Sequence, residues 1–301
     1  HTPAGCYKGT LELSCEDAVI KTYELTVTVR PFELLPVPSS VYCLSPCWGS
    51  ALFPEWIDTP EYLTKLFKFL KANKFNGFEC SYKTPEDFWP YLEAAGMLEG
   101  GTYIWTGAWN HLDKMRAVYE KTQKAGCRLI LFGQDEPIDE AKRQTQRYLT
   151  KLFRENLPEC KIITALQTGT IDAIGDALDI WEPEAIDLDD ALVEKAARQQ
   201  KELWAYECRL APVDALNSRF FHGLLAWRTA LKGTVFWYLG GLDSGYGFIK
   251  DRYDVRVSDY TSFNGDWQYN FDYVIFQPDG LYYTIGLIAM REGMQDMEYL
   301  Y

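Results

Sequence analysis

Histidine is scarce in this chain: His1, His111 and His222 are the three in 301 residues. That number excludes a histidine-rich metal centre. The eight cysteines (Cys6, Cys15, Cys43, Cys47, Cys80, Cys127, Cys160 and Cys208) fit no zinc spacing, because the close pair Cys43 and Cys47 has no second pair to match it. No apolar run approaches the roughly 20 residues of a membrane-crossing helix. No glycine-rich nucleotide fingerprint follows the first strand candidate, which weakens an open doubly wound sheet as the alternative architecture. Positive charge is also short. Lys and Arg number 30 against 43 Asp and Glu, for a net charge of -13 and a pI near 4.8. Such a balance speaks against nucleic acid or an anionic membrane as the main partner. Neither metal nor cofactor is expected.

The chain is rich in rings: 15% of it is aromatic, with ten Trp and twenty Tyr. Rings pack cores, and they also line clefts that take amphipathic ligands such as sugars. Most cysteines sit in or beside apolar runs and read as core thiols. Cys6 and Cys15 flank a hairpin pattern and are expected to pair if the protein is exported.

Two patterns divide the chain. Residues 1–37 alternate apolar and polar, as in Gly9–Leu13 and Glu24–Val29, which predicts half-buried strands. Too small to stand alone, this segment reads as part of a β-sandwich, followed by a proline-marked linker at Pro31, Pro36 and Pro38. Residues 38–301 alternate short apolar runs with helical segments. The strand candidates are Val41–Leu44, Phe75–Cys80, Thr102–Trp105, Arg128–Phe132, Lys161–Leu166, Ala177–Ile180, Leu203–Glu207 and Gly233–Tyr238. Thr59-Pro60-Glu61 and Thr84-Pro85-Glu86 open the first two helices with a capping Thr and a first-turn Pro. Further helices are expected over His111–Ala125, Asp139–Asn156, Asp187–Gln200, Asn217–Leu231 and Tyr282–Tyr301. Eight strands with interleaved helices predict a (β/α)8 TIM-type barrel.

In such a barrel function lies just after each strand. Those positions hold Trp48, Glu79 or Ser81, Trp109 with Asn110, Asp135 with Glu136, Gln167, Trp181 with Glu182, Tyr206 with Glu207, and Trp237 with Tyr238. They contain no Ser-His-Asp set and no phosphate loop. Carboxylates and rings are the equipment of a glycosidase, whose oxocarbenium-like chemistry needs an acid at the leaving oxygen and a negative partner at the anomeric carbon. Asp135 has a second reading, as a helix cap. Glu207 reads as either a cleft acid or an ion-pair partner of Arg209 or Arg228. The long stretch from Asp243 to Asp272 exceeds an ordinary connection and suggests a substrate-facing loop.

The pair in Gln134-Asp135-Glu136-Pro137 resembles that of glycoside hydrolase family 123, the retaining β-N-acetylgalactosaminidases. So do Phe276-Gln277-Pro278-Asp279-Gly280, Arg291 to Leu300, Leu203 to Cys208, and the opening Pro3 to Thr10. The resemblance implies removal of terminal β-N-acetylhexosamine, galactosamine preferred, by substrate-assisted catalysis. Asp135 would orient the acetamido group and Glu136 would be acid, then base. The resemblance also implies a carbohydrate partner and a secreted or periplasmic location. Glu207 departs from the family pattern, which is apolar there. A double-displacement glycosidase with Glu136 as acid/base and Glu207 as nucleophile is the rival reading, and a non-catalytic sugar-binding barrel is the third.

Overall fold

A computed structural model describes residues 2–34, 37, 41–44, 59–80, 84–167, 169–207, 215–236, 274–277 and 279–301. The chain divides into two compact units, His1–Pro36 and Val37–Tyr301.

The first unit is an antiparallel hairpin of β1 (Gly5–Cys15) and β2 (Ala18–Val29). Glu16 and Asp17 turn it, both at positive φ (47° and 64°), a two-residue loop whose twist matches that of the strands. Tyr7 pairs with Val27 and Leu11 with Tyr23, while Lys8 pairs with Thr26 and Thr10 with Glu24. One face is therefore apolar and the other polar. The expected Cys6–Cys15 pairing is corrected here. Both cysteines are free and exposed. They lie on the same strand, nine residues and about 30 Å apart at the usual strand rise.

The second unit holds eight parallel strands: β3 (Val41–Leu44), β4 (Gly77–Cys80), β5 (Thr102–Trp105), β6 (Arg128–Phe132), β7 (Lys161–Leu166), β8 (Ile180–Pro183), β9 (Glu202–Glu207) and β10 (Gly233–Phe236). Their order in the sheet is β3-β10-β9-β8-β7-β6-β5-β4. The end strands β3 and β4 approach within 8 Å in Cα separation, so the sheet curls back on itself. The result is a (β/α)8-type fold preceded by a short β segment. Helices α1 (Pro60–Ala72), α2 (Pro85–Ala94), α3 (Leu112–Lys124), α4 (Glu140–Asn156), α5 (Thr170–Ile174) and α6 (Asp190–Arg198) separate the strands. Helix α7 (Ala215–Phe220) runs through a π turn, Phe221–Leu225, into α8 (Ala226–Arg228), and α9 (Ile285–Leu300) follows later.

Helix starts follow from local chemistry. The side chains of Thr59, Asp139, Asp189 and Thr284 each accept a backbone N–H of the first turn, satisfying donors that the helix itself cannot. Two expected elements differ. The sixth strand is Ile180–Pro183 rather than Ala177–Ile180, because Gly175–Ala177 forms a 3₁₀ turn. The closing helix begins at Ile285, because Gly280–Tyr283 pairs with Val274–Gln277 as a small hairpin, β12 with β11. The loop from Asp243 to Asp272 lies outside the described residues.

Strand alternation creates two cores. Ile104, Ile130, Phe132, Ile163, Ala165, Ile180, Trp204, Tyr206 and Val235 form one cluster inside the barrel. Tyr103, Trp105, Leu129, Leu131, Ile162, Leu166, Trp181, Leu203 and Ala205 join the helices in the other. Cys127 and Cys160 are buried thiols of that outer region, donating to the carbonyls of Leu98 (2.7 Å) and Leu129 (3.0 Å). Burial pushes them up to about 11 and about 12.

At the amino end of the barrel Glu202 ties three strands together. Arg128 donates to both its oxygens at 2.8 Å, Lys161 donates at 2.7 Å and the Trp204 ring N–H at 2.8 Å. Burial pushes this carboxyl up, but the three donors outweigh burial and hold it at about 2. A depressed folded-state pKa gives stability that is present above the ordinary glutamate range and lost as pH falls toward 2. Glu202→Gln should cost on the order of 3 kcal/mol at pH 7, as expected for breaking a largely buried ion pair. Urea denaturation at pH 7 and pH 3 would check it, with a smaller difference at pH 3.

Candidate active site

Asp135 and Glu136 follow β6, the fourth barrel strand, at its carboxyl end. The backbone bends over residues 134–136, and Glu136 takes φ 40°, a left-handed conformation uncommon for a residue with a side chain. The Ile138 N–H then donates to the Glu136 carbonyl at 2.8 Å, closing a tight turn. This turn breaks the alternation that would send two successive side chains to opposite faces.

Helix α4 grips the turn from outside. The Gln134 N–H donates to Oε1 of buried Gln146 at 2.6 Å. Lys142 Nζ donates to the carbonyls of Asp135 and Glu136, both at 3.3 Å. Arg143 donates to the carbonyls of Pro137 (3.3 Å) and Ile138 (2.9 Å), and the Thr164 hydroxyl to that of Gln134. A Cβ at Gly133 would lie 2.1 Å from Gln146 Oε1 and would displace the amide that holds the Gln134 N–H. Asp135 does not cap this helix; Asp139 does.

Tyr206, on the seventh barrel strand, is buried on the inner face, and its hydroxyl donates to Glu136 Oε1 at 2.8 Å. That bond spans the mouth from strand seven to strand four and orients the Glu136 carboxyl. Asp135 is exposed by surface area, yet the protein atoms around it remove part of its carboxyl's hydration. Loss of hydration there pushes its carboxyl up, the Glu136 charge adds to this, and the Lys142 ammonium partly offsets it.

The inner face carries two further acids. Glu79 on β4 accepts the Thr106 hydroxyl at 2.7 Å. Glu182 on β8 lies one pleat above the inner-core residue Ile180 and opposite Ala165 of β7. It is 2% exposed, and its Oε2 has no hydrogen-bond partner among the described residues. Burial pushes Glu182 well above the usual carboxylate range, and the charges of Glu79 and Asp135 push the same way. Burial and two charges of its own sign thus all favour the protonated form of Glu182.

The remaining sequence candidates separate. Trp109 packs partly buried against the outer cluster, and Asn110 is exposed, both in a 3₁₀ turn after the third strand. Trp181 is corrected: it is fully buried among the helices, its ring N–H donating to the Gly175 carbonyl at 2.9 Å. It occupies the outer face of β8, away from a ligand in the mouth. Glu207 is 4% exposed and shares the strand face of Leu203 and Ala205, which belong to the outer cluster. Alternation thus sets it opposite in facing to Tyr206, against its reading as a cleft acid. Arg228 pairs instead with Asp190 at 2.7 Å. Trp48, Trp237 and Tyr238 lie outside the described residues. Glu182, which the sequence places beside Trp181 after the sixth strand without giving it a role in the reaction, is the inward member of that pair; the alternation Ile180, Glu182 decides this once the strand begins at Ile180.

A cavity of about 760 Å³ opens at the opposite, amino end of the barrel, among Arg128, Lys161, Lys201, Glu202 and Lys232. Its cations already serve the fold: Arg128 and Lys161 bind Glu202, and Lys201 binds the Leu178 carbonyl. No group of three or more potential metal ligands occurs among the described residues.

A raised acid makes the folded state lose stability as pH rises from the ordinary glutamate range through the raised value. Glu182→Gln removes that ionisation. Its melting temperature relative to the parent should therefore climb between pH 5 and pH 8, by an amount equivalent to about 1.4 kcal/mol per pK unit of the shift spanned; thermal denaturation across that range checks this.

No protein-family model matches the chain, and no curated protein sequence matches it. Solved structures do. The chain is similar to a β-D-glucuronidase of Dictyoglomus thermophilum, with a TM-score of 0.56 and 14% identity over 96% of this chain and 57% of that one. A β-glucuronidase of Ruminococcus gnavus, solved with D-glucuronic acid, aligns with a TM-score of 0.47 and 12% identity over 96% and 56%. An FMN-binding β-glucuronidase of Facaelibacterium prausnitzii L2-6 gives 0.47 and 13% over 76% and 43%. The chain spans about half the length of these enzymes. At such identities the likeness to the Dictyoglomus enzyme is one of fold: the (β/α)8-type barrel is an architecture on which glycoside hydrolases are built.

Proposed function

We propose that this barrel is a retaining exo-glycoside hydrolase removing terminal β-N-acetylhexosamine, galactosamine preferred, by substrate-assisted catalysis. The observation that carries the proposal is the turn at Asp135 and Glu136, which sets two adjacent carboxyls at the carboxyl end of the fourth strand and ties one to Tyr206 across the mouth. The resemblance to glycoside hydrolase family 123 supports the division of roles.

In the first step the substrate's acetamido oxygen attacks the anomeric carbon while Glu136 gives its proton to the leaving oxygen. The glycosidic bond breaks and an oxazolinium ion forms. Asp135, ionised, accepts the acetamido N–H and balances the developing positive charge. In the second step Glu136 takes a proton from water, whose oxygen attacks the anomeric carbon and opens the ring, restoring the β configuration and the acid. The substrate class implies an exported enzyme. Among the described residues no helix is long and apolar enough to cross a membrane.

The double-displacement alternative needs Glu207 as nucleophile about 5 Å from Glu136. Its burial on the strand face of Leu203 and Ala205 favours the substrate-assisted reading.

The protein should hydrolyse aryl N-acetyl-β-galactosaminide faster than the gluco or non-acetylated sugars, and a thiazoline analogue of the intermediate should inhibit it. Glu136→Gln and Asp135→Asn should each lower kcat by about 10²–10⁴-fold. If Glu207→Gln abolishes turnover and Asp135→Asn barely affects it, double displacement replaces this reading. Binding without hydrolysis on a broad glycoside panel would leave a sugar-binding barrel.

The pH profile carries a second expectation. Activity requires ionised Asp135, so kcat/KM should fall as pH drops through a value above the ordinary aspartate range. Lys142→Met removes the charge that partly offsets this rise. It should move the acid limb to still higher pH, which a pH–rate profile of both proteins reads directly.

A further inference from the structure

Glu182 has no place in the reaction just described, yet it is the acid whose state is least explained by the fold. It lies 2% exposed on the inner face of β8, at the same end of the barrel as Asp135 and Glu136. Buried polar atoms are almost always paired, and an unpaired one keeps the full cost of lost hydration. The acids that stabilise this fold show that contrast: Glu202 receives four hydrogen bonds, whereas Glu182 Oε2 receives none among the described residues. The residue facing it on β7 is Ala165, too small to fill or pair with the space beside a carboxyl. The nearby charges are of its own sign: Glu79, held by Thr106 on one side, and Asp135 on the other. Among the described residues no cation pairs with Glu182, and burial and both like charges favour a carboxyl that keeps its proton.

We propose that Glu182 is a specificity-determining residue whose buried carboxyl, unpaired at Oε2 among the described residues, hydrogen-bonds a ring hydroxyl of the terminal sugar held against Asp135 and Glu136. The inference rests on the glycosidase reading of that mouth. A neutral acid suits the task. It donates as an amide or hydroxyl would, and it adds no charge beside Asp135, the group that must answer the oxazolinium ion. A site with a buried polar group built for a hydroxyl also rejects a sugar that lacks it, because the group is then left unpaired.

The test is a deoxy series of aryl N-acetyl-β-hexosaminides, lacking the 3-, 4- or 6-hydroxyl in turn, on the parent, Glu182→Leu and Glu182→Gln. The parent should lose roughly ten- to a hundredfold in kcat/KM on one member. Glu182→Leu should lose a similar factor on the full substrate and no longer discriminate against that member. Glu182→Gln, still a donor, should restore the discrimination. A folded Glu182→Leu protein that keeps the parent's full pattern overturns the proposal, as does a parent that discriminates against no member. Calorimetric binding of N-acetylgalactosamine separates this inference from the reaction. If the parent hydrolyses none of these substrates, the reaction fails. The inference then stands only if the parent binds the sugar and Glu182→Leu binds it at least tenfold more weakly. Equal binding, or none by the parent, overturns it.

Discussion

The site depends on one constraint: the chain must turn sharply where β6 ends. A strand that ran on would send Asp135 and Glu136 to opposite faces. The turn forces Glu136 into a left-handed backbone, which costs roughly 1–3 kcal/mol and persists only when its surroundings over-determine it. Here they do. Lys142, Arg143 and Gln146, three α4 positions on the side facing the turn, bond to the backbone of residues 134–138. Their spacing of one and three residues places them along one helical face. Asp139 fixes where that face begins by capping the helix, so the cap and the acids belong to one device.

Much of the barrel was legible because it is written in local signals. Thr102–Trp105, Arg128–Phe132 and Lys161–Leu166 are short apolar runs with turn residues on both sides, and each forms a strand with those bounds. Thr59-Pro60 starts a helix as its chemistry demands. The sixth strand was misplaced for a physical reason. Ala177, Leu178 and Ile180 look continuous, but Leu178 belongs to the turn that follows Gly175–Ala177, and the strand runs through Trp181 and Glu182 to Pro183. A proline and a glutamate read as breakers. Both are tolerated because they end the strand at the mouth, where pairing stops.

That shift decided how the site was read. In the misplaced strand Trp181 was a terminal ring free to face a ligand. In the observed one it is a mid-strand residue on the outer face, sealed by the Gly175 carbonyl. Glu207 shows a different limit. Its position at the end of a strand was correct, but the facing of a terminal residue depends on which of its neighbours enter the barrel, and only the two cores reveal that Trp204 and Tyr206 do. The carboxyl-terminal motif makes the complementary point. Gly293 lets α9 approach Arg219, whose carbonyl would lie 2.4 Å from an added Cβ. Asp296 and Glu292 bind the same arginine, and Glu298 binds Lys74 at 2.8 Å. A motif that resembles a glycosidase family closely is thus explained by packing, and it identifies a scaffold more than a reaction.

The acids at the two ends of the barrel divide the work of stability from the work of chemistry. At the amino end Glu202 is paired, charged and structural, and each of its bonds ties a strand start. At the carboxyl end Glu79, Asp135 and Glu182 influence one another, and Lys142, whose ammonium bonds to backbone carbonyls, stands beside Asp135. Evenly matched charges would have made this end more stable. Leaving them unmatched raises both carboxyls, Glu182 well above the ordinary range and Asp135 with Lys142 partly offsetting the rise, and their positions differ: Asp135 meets solvent and Glu182 does not. Two carboxyls of like chemistry thereby become an acceptor of charge and a donor of a hydrogen bond, which is what a mouth that must both bind a neutral sugar and stabilise a cation derived from it requires.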